Sequence, residues 1–179
     1  MKIWLILLLS FTAQAKAPLV LVKTTLGNFK VELNEKKAPL SVKNFLGYVR
    51  SGFYEGTTFH RVIKNFMIQG GGFDTAMKQK VVKKPIQNEA KNGLSNLKGT
   101  ISMARTNVVN SATSQFFINT VDNKFLDHQS KSNYGYAVFG KVVEGMEVVE
   151  KMRKMSTHRK GRFENYPIKN IVIIGTKIL

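Results

Sequence analysis

The sequence predicts one mainly-β domain with two helices, arranged as a barrel or a sandwich. Seven or eight short segments have strand-like patterns and are separated by turn residues, which is typical of both architectures. Two further segments have the apolar spacing of surface helices, and two helices could cover the open ends of a barrel. With 179 residues, 43% of them hydrophobic, the chain can bury one sizeable core. We find no internal repeat, low-complexity tract or interdomain linker.

The first elements are a predicted hairpin and a helix. Residues 19–26 form one strand, residues 27–28 the turn, and residues 29–33 a second strand with alternating apolar and polar residues. Pro39 suits the first turn of a helix, and Gly52 suits the position just past its end. An apolar stripe lies between them at i, i+3, i+4 and i+7, and it consists of Val42, Phe45, Leu46 and Val49.

Two short apolar runs, 59–63 and 66–69, follow the helix with a brief polar break between them. As a strand, the first run would place Phe59, Arg61 and Ile63 on one face, because side chains alternate. A guanidinium on an apolar face is unusual, since charged side chains are rarely buried without a partner. Arg61 is therefore either in a surface salt bridge or in a concave site where a ligand accepts its N–H groups.

The remaining elements are shorter or less regular. A lysine-rich stretch, 74–97, has no periodicity and contains turn residues, so it is a candidate functional or rim loop. Residues 143–155 predict a second helix with acidic residues near its start and basic residues near its end, as the helix dipole favours. The further predicted strands are residues 99–104, 115–119, 136–142 and 168–179.

The first 15 residues indicate a secretory signal peptide. Lys2 precedes the apolar run 3–9, and residues 13–15, Ala-Gln-Ala, have the small residues of a cleavage site. The run is too short to span a membrane, which takes about 20 apolar residues. We expect cleavage after Ala15 and a location in the periplasm or outside the cell. An uncleaved anchor or a buried N-terminal strand is the alternative.

Composition limits the chemistry and the partners. The chain has no cysteine, which excludes disulfides, thiol catalysis and cysteine–zinc sites. Lys2 is the only charged residue of the first 15, so cleavage would lower the formal net charge from +17 to +16. Such a charge favours anionic partners, but the dense basic stretches 78–84 and 151–162 lack base-stacking aromatics. We therefore expect no nucleic-acid partner, and a solvated basic surface is the simpler interpretation.

Few residues suit covalent or metal chemistry. Histidine occurs only as His60, His128 and His158, and no serine lies in a nucleophile-elbow motif. Scattered histidines make no metal-ligand cluster, and His60 would be a packed residue on the face opposite Arg61. The glycine triplet 70–72 lacks the lysine and the helix of a phosphate-binding loop. What remains is Arg61 with amide and aromatic neighbours, which can bind and polarise a substrate without forming a covalent bond.

Four motifs occur in a fixed order along the chain. They are Phe-His-Arg-Val-Ile (59–63) with Phe-Met-Ile-Gln-Gly-Gly (66–71), Ile-Ser-Met-Ala-Arg (101–105), Ser-Gln-Phe-Phe-Ile-Asn (114–119), and Phe-Leu-Asp (125–127) with Tyr-Ala-Val-Phe-Gly-Lys-Val (136–142). Together they resemble the cyclophilin-type peptidyl-prolyl cis–trans isomerases, most of all those of the bacterial periplasm, over residues 19–178. The resemblance implies an eight-stranded antiparallel barrel capped by two helices for residues 16–179. It also implies rotation about X-Pro bonds with no cofactor and no metal.

The resemblance also implies site residues. Arg61 matches the catalytic arginine of the family, and Gln69 and Gln115 match the polar groups beside the proline pocket. Ala104 and Arg105 match a strand edge that contacts the substrate backbone. The other substrate-binding positions are the pocket residues Phe66, Met67, Phe117 and Leu126, together with Phe125 and Tyr136.

At three of these positions the residue differs from that of many eukaryotic cyclophilins. Phe125 stands where they carry a tryptophan, Tyr136 replaces a histidine, and Arg105 replaces a common asparagine. Without an indole N–H at position 125, we expect only weak cyclosporin binding. The contact at Arg105 is expected to involve the backbone, so catalysis should survive the change.

The sequence thus predicts a monomeric periplasmic isomerase that acts on proline-containing segments of unfolded or folding exported proteins. The rival interpretation is a non-catalytic chaperone that uses the same groove and basic surface to hold acidic or unfolded clients. A third is non-specific attachment to anionic membrane or envelope surfaces, which high salt would weaken.

Overall fold

The structure is a computed structural model that describes residues 16–179, so the predicted signal peptide and its cleavage site lie outside the described residues. In chain order the elements are β1 (Leu19–Thr24), β2 (Gly27–Leu33), α1 (Pro39–Arg50), β3 (Thr57–Ile63), β4 (Met67–Asp74), β5 (Thr100–Met103), β6 (Phe116–Asn119), β7 (Val138–Glu144), α2 (Met146–Arg153), β8 (Thr157–Lys160), β9 (Phe163–Pro167) and β10 (Ile173–Ile178). Two short 3₁₀ turns lie at Ala90–Asn92 and Lys124–Leu126.

Eight of the strands form one antiparallel sheet in the order β10-β1-β2-β7-β5-β6-β4-β3. The two end strands of this sheet approach each other. The backbone N–H groups of Gly56 and Phe59 donate hydrogen bonds of 2.9 Å to the carbonyl oxygens of Ile173 and Ile171, respectively. The sheet is therefore a nearly closed barrel, and with the two helices it confirms the predicted fold.

The barrel core follows from the alternation of side chains along the strands. On β2, Phe29, Val31 and Leu33 are buried, and the residues between them are not. Edge-to-face aromatic contacts then connect the barrel to α1, where the Phe45 ring lies 5.6 Å from the ring of Phe116. The core thus joins the inner face of the sheet to the apolar face of a helix.

Both helices pack against the barrel. Helix α1 contacts β7 and β10, and α2 contacts β2, β3 and β4. Helix α1 begins at Pro39, all four residues of its predicted stripe are buried, and Gly52 follows it with a left-handed φ of +64°. Within residues 16–179 no helix is long and apolar enough to cross a membrane.

The turn of the first hairpin lies two residues earlier than predicted. β1 ends at Thr24 and β2 begins at Gly27, which leaves residues 25–26 as the turn in place of 27–28. The Thr24 hydroxyl stabilises this turn by donating a 2.6 Å hydrogen bond to the Gly27 carbonyl oxygen. Gly27 has a φ of +126°, and a Cβ there would lie 2.9 Å from Val148 of α2. The glycine therefore allows close helix packing.

Two C-terminal elements are shorter than predicted. The predicted helix 143–155 begins only at Met146, because its first residues extend β7 and Gly145 turns the chain with a φ of +79°. The predicted strand 168–179 pairs with β1 only from Ile173 onward. Its earlier part instead binds β3, since the Ile171 carbonyl oxygen accepts the N–H of Phe59.

The sequence pattern did not predict the β8–β9 hairpin. Its strands form a separate two-stranded sheet that packs against β3. No residue of β8 is buried, and only the last two residues of β9 are, so the hairpin lacks the extended apolar alternation that reveals a strand. The hairpin covers His60, whose ring centroid lies 4.9 Å from that of Phe73 and 5.5 Å from that of Phe163.

A β-bulge in β3 changes which side chains share a face. Gly70 and Gln69 are neighbours on β4, but their partners on β3 are Phe59 and Arg61, so His60 is an extra residue. Phe59 is fully buried in the main core, whereas Arg61 lines a surface cavity. The predicted common face of Phe59 and Arg61 is therefore wrong, because the bulge breaks the period of two.

Candidate active site

A cavity of about 90 Å³ opens beside β4 and β6, between the loop after β5 and the segment before β7. All nine residues that line it are among the eleven site residues predicted from the sequence. The other two, Gln115 and Phe125, lie beside the lining. The structure thus brings together side chains from four separate motifs.

The cavity has an apolar floor. Met67, Phe117 and Leu126 are each at most 9% exposed and form a cluster with Ala104 that is distinct from the main core. Alternation on β6 explains this placement, because Phe117 faces the cavity while its neighbour Phe116 lies in the main core. A small apolar ring that entered this recess would lose its contact with water.

Arg61 forms the polar wall of the cavity and is oriented by two amides. Its Nη1 donates to Gln69 Oε1 at 3.4 Å, and Gln69 Nε2 donates to Gln115 Oε1 at 2.9 Å. The guanidinium carbon lies 5.9 Å from the centroid of the Phe66 ring. Within residues 16–179 no carboxylate forms an ion pair with Arg61. The surface salt bridge considered from the sequence is therefore absent.

The third glycine of the triplet makes room for this amide chain. A Cβ at Gly72 would lie 2.5 Å from Cγ and 2.7 Å from Cδ of Gln115. The side chain of Gln115 therefore lies directly over the Gly72 backbone. From the sequence the triplet was considered only as a phosphate-binding loop, and its role in packing was not predicted.

Arg105 and Tyr136 form the opposite side of the cavity. The Arg105 guanidinium carbon lies 4.6 Å from the Tyr136 ring centroid, and its Nε donates to the Gly135 carbonyl oxygen at 3.0 Å. The backbone N–H of Arg105 has no acceptor within the described residues. This N–H lies in the segment for which the resemblance implies a contact with the substrate backbone.

Phe125 lies at the rim of the cavity. Its ring stacks on that of Phe66 with centroids 5.7 Å apart and an interplanar angle of 21°, and the residue is 59% exposed. The stacked ring extends the apolar surface outward. It provides no N–H donor where an indole would have one.

A buried amide network holds the loops that carry the pocket residues. Asn123 Nδ2 donates to the Phe66 carbonyl oxygen at 2.8 Å, and the Asn123 carbonyl accepts the N–H of Leu126 at 2.8 Å. Asn96 Nδ2 donates to the Tyr136 carbonyl oxygen at 3.3 Å. Three cavity residues from different segments are thus attached to two asparagines.

Asn96 is itself fixed by a carboxylate and a hydroxyl. Asp127 Oδ1 accepts its backbone N–H at 2.7 Å and its Nδ2 at 2.8 Å, while Ser102 donates to its Oδ1 at 2.7 Å. From the sequence Asn96 was only a loop marker, because an asparagine between turn residues is usually explained by backbone preference.

His60 lies on the other side of Arg61, away from the apolar floor. The pKa of His60 is lowered to about 4, mainly by burial and also by the charges of Arg61 and Arg162, while a contact with the backbone of Thr58 opposes the shift. His60 is therefore neutral near pH 7. It is 3% exposed, in agreement with its prediction as a packed residue.

The nine lining residues include no serine, histidine or carboxylate, so the cavity offers no nucleophile and no carboxylate base. Among residues 16–179 there is also no group of three or more potential metal ligands. The cavity can accept a small ring, exclude water and donate hydrogen bonds from a fixed cation. The barrel and this cavity suit an enzyme that changes the conformation of a bound segment rather than its bonds.

Comparison with known proteins identifies the family. A family model described as "Cyclophilin type peptidyl-prolyl cis-trans isomerase/CLD" matches residues 19–178. The chain belongs to this family, and it is a peptidyl-prolyl cis–trans isomerase.

Its relatives include bacterial enzymes of similar length. Peptidyl-prolyl cis-trans isomerase A of Dickeya dadantii is 59% identical over 160 residues, which cover 89% of this chain and 84% of that protein. Peptidyl-prolyl cis-trans isomerase B of Escherichia coli is 51% identical over 157 residues, which cover 87% and 96%. A crystal structure of a cyclophilin-type isomerase from Cryptosporidium parvum has a TM-score of 0.74 and 28% identity, and the match covers 91% of this chain and 98% of that one. A second crystal structure of the same protein was determined in the presence of the dipeptide Ala-Pro.

Proposed function

We propose that Arg61 accelerates rotation about X-Pro bonds by donating a hydrogen bond to the prolyl nitrogen while the bond is twisted. The observation that carries this proposal is the position of Arg61 at the wall of an apolar cavity, in contact with Gln69 and with no carboxylate partner in the described chain. A structure of the Cryptosporidium relative was determined in the presence of Ala-Pro, which supports a proline ring as the occupant.

The barrier that must be lowered comes from resonance in the amide. It amounts to roughly 18–20 kcal/mol, and isomerisation without a catalyst takes roughly 10–100 s. When the bond twists, conjugation is lost and the nitrogen regains its lone pair. A donor directed at that nitrogen gains a partner only in the transition state, which is the condition for catalysis.

The apolar floor acts in the same direction. A planar amide is more polar than a twisted one, because resonance places partial charges on its nitrogen and oxygen. Burial of the proline ring among Met67, Phe117 and Leu126 removes water that stabilises the planar form. Each tenfold rate increase requires about 1.4 kcal/mol, which is a modest demand on one charged donor and an apolar pocket.

The test is the rate of proline isomerisation by Arg61→Ala. Because the variant lacks the donor, we expect kcat/KM to fall by about 10²–10³-fold, as for loss of one transition-state donor. Arg50→Ala is the matched control, since it removes an equal charge at the exposed end of α1 and should keep full activity. A folded Arg61→Ala variant with an unchanged rate would rule out the mechanism.

We further propose that the natural substrates are exported proteins and that the enzyme acts in the periplasm or outside the cell. The signal-peptide pattern of residues 1–15 supports this location. Proteins that fold after export must isomerise their X-Pro bonds without cytoplasmic assistance, so an exported isomerase would shorten a slow step of their folding.

This location is tested by N-terminal sequencing and intact mass of the protein recovered from the periplasm or the medium. We expect the chain to begin at Lys16. A variant with Ala13→Leu and Ala15→Leu should keep its N-terminus and remain with the membrane, because cleavage requires small residues there. An exported wild-type protein that still carries Met1 would contradict the proposed cleavage.

A further inference from the structure

A second depression lies on the other side of Arg61. It has a volume of about 230 Å³, and it is lined by His60, Arg61, Arg162, Phe163, Glu164 and Asn165. Arg61 is the one lining residue that the depression shares with the proline cavity. A peptide held in the cavity could therefore continue past the guanidinium into this second space.

The β8–β9 hairpin supplies most of its walls. The guanidinium carbon of Arg162 lies 5.5 Å from the ring centroid of Phe73 and 5.2 Å from that of Phe163. A guanidinium that lies against aromatic rings keeps the N–H groups at its edge available for a planar acceptor. The exposed arginine is thus positioned by ring contacts.

The charges in the depression favour an anion. In the described part of the chain, neither Arg61 nor Arg162 forms an ion pair. Glu164 is the only acidic residue of the lining, and it is exposed. Two guanidinium groups therefore face one carboxylate, which leaves a net positive charge beside the substrate cavity.

We propose that this depression is an extension of the substrate groove that binds an acidic side chain of the client close to its proline. Arginine binds carboxylates through paired N–H donors, and Arg162 presents such donors beside Arg61. Because the depression adjoins the cavity at Arg61, the acidic residue is close to the proline in the sequence of the client. This inference rests on the proposed function of the cavity and adds a substrate preference to it.

The experiment uses pairs of proline peptides that differ only by Glu or Gln at one position. The position is moved through the three residues before and the three residues after the proline, and kcat/KM is measured for each peptide. At the best position we expect the Glu peptide to be favoured about two- to fivefold, the range for an exposed ion pair. High salt should reduce this ratio.

Two variants should change the ratio in opposite directions. Arg162→Glu should bring the Glu/Gln ratio below one, whereas Glu164→Gln should raise it, because Glu164 competes with the client carboxylate. Arg159→Glu is the matched control: it makes the same change in net charge on the same hairpin but lies outside the lining, so the ratio should stay at the wild-type value. Equal ratios for Arg162→Glu and Arg159→Glu would overturn the proposal.

The Gln peptides separate this proposal from the one on which it rests. If the wild-type enzyme does not accelerate their isomerisation, the proposed function of the cavity fails. If it accelerates them but shows no preference for Glu at any position, only the extended groove is rejected. Thermal unfolding of each variant shows that it is folded, as expected for substitutions of exposed side chains.

Discussion

At the scale of single residues, two glutamines determine the orientation of Arg61, and the second of them packs over a glycine. Gln69 contacts the guanidinium, and Gln115 contacts Gln69. The side chain of Gln115 occupies the space that a side chain at position 72 would fill. The 3.4 Å bond between Arg61 and Gln69 is long, so the fixed position of Gln69 matters for the direction of the donor. We therefore expect a substitution with no contact to the substrate to affect catalysis.

Gly72→Ala tests this dependence. The new methyl group should displace the Gln115 side chain, because a Cβ would lie 2.5 Å from its Cγ, and the bond from Gln69 to Gln115 should break. The loss of one such bond at the Arg61 support should lower kcat/KM about three- to tenfold. Stability should change little, since Gly72 does not require a left-handed backbone.

Gly175→Ala is the control, because a Cβ at Gly175 meets no atom within 4 Å. A double-mutant cycle gives the sharper test: in a Gln115→Ala background, Gly72→Ala should cause no further loss. An equal loss in both backgrounds would show that Gly72 acts independently of Gln115.

The site residues were predicted from the order of the motifs along the chain, and motifs reveal only some of the residues that matter. Motifs identified the residues that line the cavity, because each lies in a recognisable run such as residues 66–71. They did not reveal the bonds of Asn96 and Asn123 to pocket backbones, since hydrogen-bond partners distant in sequence depend on the folded chain. The support of the pocket was thus less predictable than its surface.

At the scale of elements, the β3 bulge and the β8–β9 hairpin together determine the surroundings of Arg61. The bulge removes Arg61 from the face of Phe59, and the hairpin covers His60 beside it. One side of the guanidinium consequently borders the apolar cavity, and the other borders a polar depression. Arg61 can therefore line two spaces at once.

The elements that the sequence predicted well are those with a strong apolar period. Helix α1 was predicted at both ends, because Pro39, the stripe and Gly52 all indicate the same boundaries. The bulge could not be predicted, since an extra residue appears only in the pairing of two strands. Strand β8 is largely exposed and carries charged residues, and the one local signal of the β8–β9 hairpin was Gly161, which has a φ of +58° in the turn.

At the scale of the whole molecule, stability should depend on acid through His60. The ordinary pKa of histidine is about 6.5, and that of His60 in the folded chain is lowered to about 4. Between these values the unfolded chain binds a proton that the folded chain does not. The contribution of His60 is therefore fully present above pH 6.5 and is lost as the pH falls toward 4.

The predicted loss can be isolated with His60→Phe, which retains a ring between Phe73 and Phe163 but cannot titrate. From pH 7.5 to pH 4.5 the free energy of unfolding of the wild type should fall by about 2–3 kcal/mol more than that of the variant. Urea unfolding at the two pH values gives both quantities. Carboxylates such as Glu150, whose pKa is lowered by hydrogen bonds from Lys98 and Arg153, contribute equally to both proteins and cancel in the difference.

His158→Gln is the matched control, because it removes an exposed histidine from the hairpin that packs beside His60. If His60→Phe and His158→Gln lost equal stability on acidification, His60 would not be the group responsible. The expected difference follows from the fold itself. The hairpin that helps to form the polar depression also excludes water from His60, so the same packing that shapes the substrate groove makes the barrel sensitive to acid.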